Sequence, residues 1–466
     1  MVLVFLVVDT KPNLMKHQFV TLVVLTIFGC IDPGTQLVAA TPKLLHEEVV
    51  TKFSAANNGA TPMWCYSAPL IVRDGEDVFV SIIETGEDVP PLCNTRWQLW
   101  KREESGWRVV LTERDYRQRE PCPLAKLPGG ELFLSANPSL TKPGTRYRAC
   151  KPTIFRIQDA GKQVLAVAEE PRWSEVANFN DHSYRGFAAD GARGELLLLN
   201  IDTKTSEQFV SFRDRRGAWQ SRGKIVFPIR AAYPQVALRD RAAHVMAIGD
   251  IREPNKEWEE FKREVTKRKW DYVFRRLFYC YTSDILRAGF SKPIEIDSVE
   301  ETAGHILNLD LHIDQDGAAH VLYLKKPQQH KFMRDRYFPR EEMTSHLEYV
   351  VIRDGRVESR NTLAETPKKN VGYEPSYARF HVAPEGKLSV VIAGKWKETD
   401  KPDRDANVIV GIKPLEAARE LPLEHPFRSF FIASPTGGCR PSTRIDLFGT
   451  ADDIPNLRYA SFEMQE

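Results

Sequence analysis

The stretch that decides the fold is residues 180–200, NDHSYRGFAADGARGELLLLN. A polar run ending at Arg185 leads into a short apolar strand, residues 186–189. An Asp190-Gly191 turn then leads into a second strand, residues 195–200. Glycine readily adopts the positive φ of tight turns, so apolar runs on both sides of Asp-Gly predict a β-hairpin.

The hairpin pattern recurs along the chain. Six further copies begin near residues 66, 121, 232, 309, 374 and 430. Their spacing, roughly 50 to 75 residues, fits one four-stranded propeller blade with variable loops. We therefore predict an all-β, seven-bladed β-propeller. The last copy offers only about three strands, and residues 47–53 would supply the strand that completes it and closes the ring. A chain of two β-sandwich domains is the alternative.

Length and charge limit the functional classes. One propeller domain, residues 41–466, would account for nearly all of the 466 residues. A formal charge of +2 gives no electrostatic case for nucleic acid or for an anionic membrane as a partner. We expect a monomer.

The first 40 residues have the composition of an export signal. Lys16 precedes an apolar run, residues 19–29, and Val38-Ala39-Ala40 is a small-residue cleavage site. We predict a leader over residues 1–40, with Met15 as an alternative start, and no membrane span after its removal. A lipoprotein anchored at Cys30 is the competing interpretation. The expected location is secreted or periplasmic.

The cysteines left after leader removal are even in number: Cys65, Cys93, Cys122, Cys150, Cys280 and Cys439. In an exported protein they allow up to three disulfides, and a Cys65–Cys122 bridge is conceivable, but the connectivity stays open. No Cys/His spacing suggests a metal, and no glycine-rich phosphate loop suggests a nucleotide. We expect neither a metal nor a cofactor.

Propeller geometry converts strand order into location. The links that enter the inner strands should meet at one end of the central channel, and ligand sites of propellers favour that end. The polar and aromatic residues assigned to these links are Asp181, His182, Tyr184, Arg185, Arg230, Tyr233, His305, Asn308, Tyr373, Glu374 and Arg440. Two insertions, residues 252–276 and 325–346, are rich in Lys, Arg and aromatic residues. Cations beside aromatic rings suit an acidic polysaccharide or oligosaccharide, although solvated cover loops are the alternative.

Two motifs resemble a known family. Asp181-His182-Ser183 before a hairpin, and Tyr233-Pro234 opening the next blade, resemble the sialidase-like BNR-repeat propellers. The similarity is greatest to the branch that includes propeller lyases acting on ulvan. The resemblance implies a polysaccharide lyase in which a His, a Tyr and an Arg act together. By position these are His182, Tyr233 and Arg252.

β-Elimination from a uronate requires a cation to neutralise the carboxylate, a base to remove the C5 proton and an acid to protonate the departing oxygen. Our hypothesis gives His182 the role of base and Tyr233 that of acid or proton shuttle. Arg252 or Arg185 is the neutraliser. The alternatives are a glycoside hydrolase and a non-catalytic glycan-binding propeller. The hydrolase would use two carboxyls from Asp181, Glu374, Glu120 and Asp310.

Overall fold

The computed structural model describes residues 42–64, 69–142, 145, 148–159, 164–367, 371–452 and 454–464. The predicted leader and Cys65 lie outside these residues. No helix in the described part is both long and apolar enough to cross a membrane.

Seven four-stranded antiparallel sheets form the predicted β-propeller, which confirms the fold class. After β1 (Lys43–Lys52), blade 1 contains β2 (Ile71–Asp74), β3 (Asp77–Thr85), β4 (Thr95–Glu103) and β5 (Gly106–Thr112). Blade 2 contains β6 (Leu124–Lys126), β7 (Leu132–Ala136), β8 (Thr153–Asp159) and β9 (Val164–Glu169). Blade 3 contains β10 (Arg185–Asp190), β11 (Glu195–Ile201), β12 (Gln208–Arg213) and β13 (Trp219–Ile225).

Blades 4 and 5 each carry an insertion. Blade 4 contains β14 (Ala231–Arg239), β15 (Ala242–Gly249), β18 (Arg276–Thr282) and β19 (Ile294–Ser298); its insertion contains β16 (Ile251–Arg252), α1 (Lys256–Thr266) and β17 (Tyr272–Val273). Blade 5 contains β20 (His305–Ile313), β21 (Ala319–Lys326), α2 (Lys331–Tyr337) as its insertion, β22 (His346–Arg353) and β23 (Arg356–Glu365).

The last two blades are β24 (Gly372–Val382), β25 (Leu388–Lys397), β26 (Arg404–Lys413) and β27 (Arg419–Glu420), then β28 (Ser429–Ile432), β29 (Arg444–Thr450) and β30 (Asn456–Glu463). β1 pairs antiparallel with β30, so the last blade contains strands from both ends of the described chain.

Burial follows position within a blade. Every residue of β10, β11 and β12 is buried, because the inner strands of a blade are covered on both faces by neighbouring blades. The run Leu196–Leu199 is accordingly apolar without alternation, as in strands covered on both faces. The outermost strand β9 exposes Leu165 and Val167. The inner strands therefore make the core and line the channel.

The two insertions pack against each other. The ring centroid of Phe261 on α1 lies 5.9 Å from that of Phe332 and 5.6 Å from that of Tyr337, both on α2. A buried carboxylate, Glu253, anchors α1 to the blade by accepting from Arg275 and Lys262, each at 2.6 Å. Because both cations approach it, this buried charge is compensated.

The channel has two distinct ends. We call the end where chain links enter the inner strands the link end, and the end with the β-hairpin turns the hairpin end. At the hairpin end, a loop between β28 and β29 crosses towards other blades: Gly437 O accepts from Lys126 N at 2.8 Å, and Thr436 O accepts from Ala189 N at 2.8 Å. Gly438 sits at φ 82° against the Lys126 carbonyl. This loop, residues 434–440, is called the channel loop below.

Candidate functional site

Charged and aromatic side chains from neighbouring blades meet at the link end. They come from the links that enter blades 2, 3 and 4, from the start of β14 and from the end of β15. We call them the link-end cluster: Arg119, Glu120, Asp181, His182, Tyr184, Arg230, Tyr233 and Asp250.

Among the side chains of the cluster, that of His182 is the most exposed to solvent, and an imidazole is a suitable group for proton transfer. Its side chain is 30 % exposed, and its Nδ1 lies 3.4 Å from Oδ1 of Asp181. Both carboxylate oxygens of Asp181 are buried and accept no hydrogen bond within the described part of the chain. The buried carboxylate therefore lies beside the imidazole at ion-pairing distance.

The rings of Tyr184, two residues after His182, and Tyr233, on the next blade, pack against each other. Their ring centroids are 4.2 Å apart with planes inclined by 31°. The two hydroxyls are hydrogen-bonded, and Arg119 bonds to the Tyr184 hydroxyl. Burial raises the pKa of both phenols, that of Tyr233 well above its ordinary value. Both groups therefore carry their protons at neutral pH and can act as acids.

The backbone at Tyr233 is strained. Its φ is 49°, which is uncommon for a bulky residue and disfavoured further by the following Pro234. Proline has no N–H for the ladder, and the β14–β15 register shifts between Ala232 and Gln235. Asn308 Nδ2 donates to the Tyr233 carbonyl at 2.7 Å and stabilises this irregular backbone. Such strain concentrates at functional sites.

Arg119 connects the links of blades 2 and 3. Its Nη1 lies 3.3 Å from Glu120 Oε1 and donates to the Asp181 carbonyl oxygen at 3.3 Å. Burial raises the pKa of Glu120, while the positive charges of Arg119 and Arg185 oppose that rise. Asp181 adds to the rise by repulsion. Glu120 is therefore a carboxyl that takes up a proton more readily than usual.

Arg230 is the more accessible cation of the cluster. It is ion-paired with Asp250, and its guanidinium lies 5.6 Å from the centroid of the Tyr184 ring. Burial raises the pKa of Asp250, and Arg230 opposes that rise. A partly exposed guanidinium above an aromatic ring is suited to binding a carboxylate.

Three other predicted residues lie beside the cluster. Arg185 is buried and donates to the Pro121 carbonyl at 2.6 Å, so it fixes the link that carries Glu120. His305 packs against Phe274 at 5.7 Å between ring centroids, and burial lowers its pKa to about 4. Asn308 acts through the Tyr233 backbone, as described above.

Four predicted residues are not brought to the cluster. Arg252 is 64 % exposed and pairs with Glu259 on α1. Tyr373 is buried within blade 6, where its hydroxyl donates to the Ile392 carbonyl at 3.0 Å. Glu374 pairs with Lys397 at 2.7 Å on the same blade.

The fourth, Arg440, lies at the opposite end of the channel. The repeat pattern assigned it to a link entering blade 7, but the inner strand of that blade is β28, Ser429–Ile432. Arg440 follows this strand in the channel loop and lies with the hairpin-end residues Asp74 and Lys126.

Arg119 was missed by the sequence analysis. Its signal was available, because Arg119 precedes Glu120 in the link that enters blade 2. Phe274 was missed as well, and its ring centroid lies 5.9 Å from that of Tyr233. It belongs to the insertion of blade 4, and its contact depends on how that insertion folds back.

The described residues offer little for metal binding or cross-linking. No group of three or more His, Cys, Asp or Glu side chains among them could hold a metal ion. Five cysteines in the described part, Cys93, Cys122, Cys150, Cys280 and Cys439, are buried free thiols. The thiols of Cys93 and Cys150 are in hydrogen-bonding contact.

Comparison with known proteins gives no match to a family model and none to a curated protein. Among solved structures, the polysaccharide lyase Uly1 aligns with a TM-score of 0.49 and 10 % identity over 91 % of this chain and 100 % of that chain. An α-L-arabinanase from Penicillium chrysogenum aligns with a TM-score of 0.40 and 13 % identity, over 74 % and 92 %. The NanB sialidase of Streptococcus pneumoniae aligns with a TM-score of 0.40 and 10 % identity, over 74 % and 67 %.

No family match supports BNR repeats. At such identities the likeness concerns the fold, on which many functions occur. The chain is a seven-bladed β-propeller with a cluster of ionisable side chains at the link end.

Proposed function

We propose that this protein is a carbohydrate-active propeller that cleaves a uronate-containing glycan by β-elimination at the link end of its channel. The observation that carries the proposal is the grouping of an accessible histidine beside a buried carboxylate with two protonated tyrosines and two arginines. These are the base, acid and cation that the reaction requires.

Each group has a defined task. Arg230 binds the uronate carboxylate and makes the C5 proton more acidic, and His182 removes that proton with the ring nitrogen that does not face Asp181. The electron pair of the C5–H bond forms the C4–C5 double bond, and the C4–O bond breaks. Tyr184 protonates the departing oxygen and is resupplied from Tyr233, to which it is hydrogen-bonded. Arg230 thus takes the role that sequence position suggested for Arg252.

The acidic nature of the substrate is supported by the rim of the link end. Trp270 is 74 % exposed and Tyr272 is 53 % exposed. They follow four cations that share one shallow surface depression with Glu260 and Glu264 and form no ion pair in the described part of the chain: Arg263, Lys267, Arg268 and Lys269. Tyr272 pairs with Arg252, two residues after Asp250 of the cluster. Exposed rings beside unpaired cations favour a polyanionic sugar chain.

A hydrolase is the second candidate. Glu120 has a raised pKa, and Asp181 contributes to it, so the two carboxyls are close enough to interact. Two neighbouring carboxyls, one of which takes up a proton readily, can serve as acid and base in glycoside hydrolysis. Both are buried, however, whereas His182 is partly exposed. The two tyrosines of the lyase proposal are buried as well, so what favours the lyase is the accessible His182, for which the hydrolase has no role.

The test is incubation of the purified protein with a panel of uronate-containing and neutral polysaccharides. A lyase creates an unsaturated uronate that absorbs in the ultraviolet together with new reducing ends, and we expect both signals from acidic polymers only. Reducing ends without absorbance would replace the lyase by the hydrolase. Retention on an immobilised polymer without either signal would leave only a binding function.

A further inference from the structure

The hairpin end of the channel contains a cavity that the proposed reaction does not use. Its volume is about 770 Å³, and all seven blades contribute lining residues. Pockets for small ligands span about 300–1,000 Å³. The cavity lies among the hairpin turns, such as Asp190-Gly191, at the end of the inner strands opposite to the link-end cluster.

The acidic side chains of this cavity are already engaged. Asp74 pairs with Lys126, and Asp240 pairs with Arg193 at 3.0 Å. Asp314 pairs with Lys413 at 2.8 Å and with His320 at 3.1 Å, and Asp316 lies 4.0 Å from the same lysine. Glu385 pairs with Lys387 at 3.6 Å, and Asp190 accepts from the Asp240 backbone N–H at 2.7 Å. Five of these six carboxylates therefore have a cation within 4.0 Å, with Lys413 shared between Asp314 and Asp316, and Asp190 has a backbone hydrogen bond.

Several donors facing the cavity are not engaged in this way. Arg440 forms no ion pair within the described part of the chain, and Arg239 has only a long ion pair, to Asp240 Oδ2 at 3.9 Å, a carboxylate that Arg193 approaches more closely at 3.0 Å. His312 is only 8 % exposed and lines the cavity, and its imidazole forms no hydrogen bond with any described residue. Burial lowers the pKa of His312 to about 3, and the charge of Arg239 contributes. An imidazole and two arginines that have few or no partners among the described residues thus line one space.

We propose that the hairpin-end cavity binds a small oxyanion ligand, such as an organic acid, a phosphate or a sulfate ester no larger than a disaccharide. The planar guanidinium groups of Arg239 and Arg440 match the paired oxygens of a carboxylate, phosphate or sulfate. His312 supplies a further donor from the wall. The proposal is independent of the glycan chemistry at the link end, because it uses none of the same side chains.

The experiment is calorimetric titration of the whole protein with sodium sulfate, sodium phosphate, glucuronate and glucose at constant ionic strength. We expect saturable binding of at least one oxyanion and none of glucose. Sulfate or phosphate alone would identify an inorganic or ester group as the ligand, and glucuronate would identify a sugar acid. No saturable binding of any oxyanion at millimolar concentration would overturn the proposal.

The variant that tests the location is Arg239→Gln combined with Arg440→Gln. We expect it to weaken oxyanion binding at least 10-fold. The matched control is Arg356→Gln, which removes an exposed arginine from a hairpin turn outside the cavity. Unchanged binding in the double variant, or equal weakening in the control, would overturn the location. If the double variant unfolds, the His312 imidazole in wild-type protein gives the answer by NMR: its pKa rises on adding the oxyanion, and an unmoved pKa contradicts the proposal.

Discussion

At the link end of the channel, the ring centroids of Tyr184 and Tyr233 lie 4.2 Å apart. Arg119 and Arg230 each contact a carboxylate there, and Arg119 also bonds to a phenol. At the hairpin end, the same seven blades enclose a cavity of about 770 Å³ whose Arg440 has no acidic partner in the described chain. The difference teaches that propeller symmetry fixes where residues meet but not what they do there. Oriented, mutually compensated groups suit chemistry, whereas room and spare donors suit binding.

The largest expected effect is a loss of catalytic activity from a substitution at the link end. His182→Gln should lower kcat/KM on the acidic polymer about 10²–10⁴-fold, because a positioned base contributes that much. His425→Gln is a close control, since His425 Nδ1 also lies near an aspartate, 3.3 Å from Asp452, and its side chain is 31 % exposed, but it lies at the edge of blade 7. Initial rates from the ultraviolet assay check this. Equal loss in both variants, or activity kept by His182→Gln, would contradict the assigned role.

Much of the fold could be predicted from sequence because its signals are local. Short apolar runs around Asp-Gly turns specify each hairpin, and their repetition specifies the ring. The grouping of His182, Tyr184 and Tyr233 follows from their common position before or at the start of an inner strand. Neither inference needs knowledge of distant contacts.

The remaining residues depended on features that sequence does not reveal. The predicted position of Arg440 was wrong because, in blade 7, the long channel loop connects the first two strands in place of a tight turn. Arg440 therefore lies after the inner strand and not before it. Arg252 is held by Glu259 only because α1 folds back beside β16. The spare donors of the hairpin-end cavity result from which ion pairs form between blades, and those are tertiary contacts.

The second expected effect is a loss of folding stability from a substitution at the hairpin end. Gly438→Ala places a methyl group on the Lys126 carbonyl oxygen, so the channel loop must move, and we expect about 2–4 kcal/mol loss of unfolding free energy. Gly129→Ala is the control, because Gly129 also has a positive φ of 84° but open space around its α-carbon. Urea unfolding of both variants separates collision from backbone strain. Equal destabilisation would show that the loop contact is unimportant.

A smaller effect concerns acid stability at the hairpin end. The folded protein favours neutral His312, whose pKa is lowered to about 3, whereas the unfolded chain binds the proton near the ordinary value of about 6.5. This stabilisation is complete above pH 6.5 and is lost as the pH falls towards 3. His312→Gln should therefore reduce the pH dependence of the unfolding free energy, on the order of 1–3 kcal/mol across that window. Superimposable pH profiles of variant and wild type would refute the assignment.

The smallest effect sharpens the link end by testing its rim. Trp270→Ala should raise KM for the acidic polymer about 3–10-fold with little change in kcat, because an exposed ring contributes about 1 kcal/mol of stacking or cation–π energy. Leu415→Ala removes another exposed apolar side chain, 55 % exposed on blade 6, and should change neither constant. A fall in kcat without a change in KM would remove the rim from substrate binding.

The most direct test of the central claim is the position of a bound sugar. Crystals of the inactive His182→Asn variant soaked with a uronate oligosaccharide should show one sugar carboxylate bound to Arg230 and the glycosidic oxygen beside Tyr184. The ring carbon that loses its proton should then face position 182. Ordered sugar found only in the hairpin-end cavity, or only at sites remote from Tyr184, would contradict the assignment of chemistry to the link end.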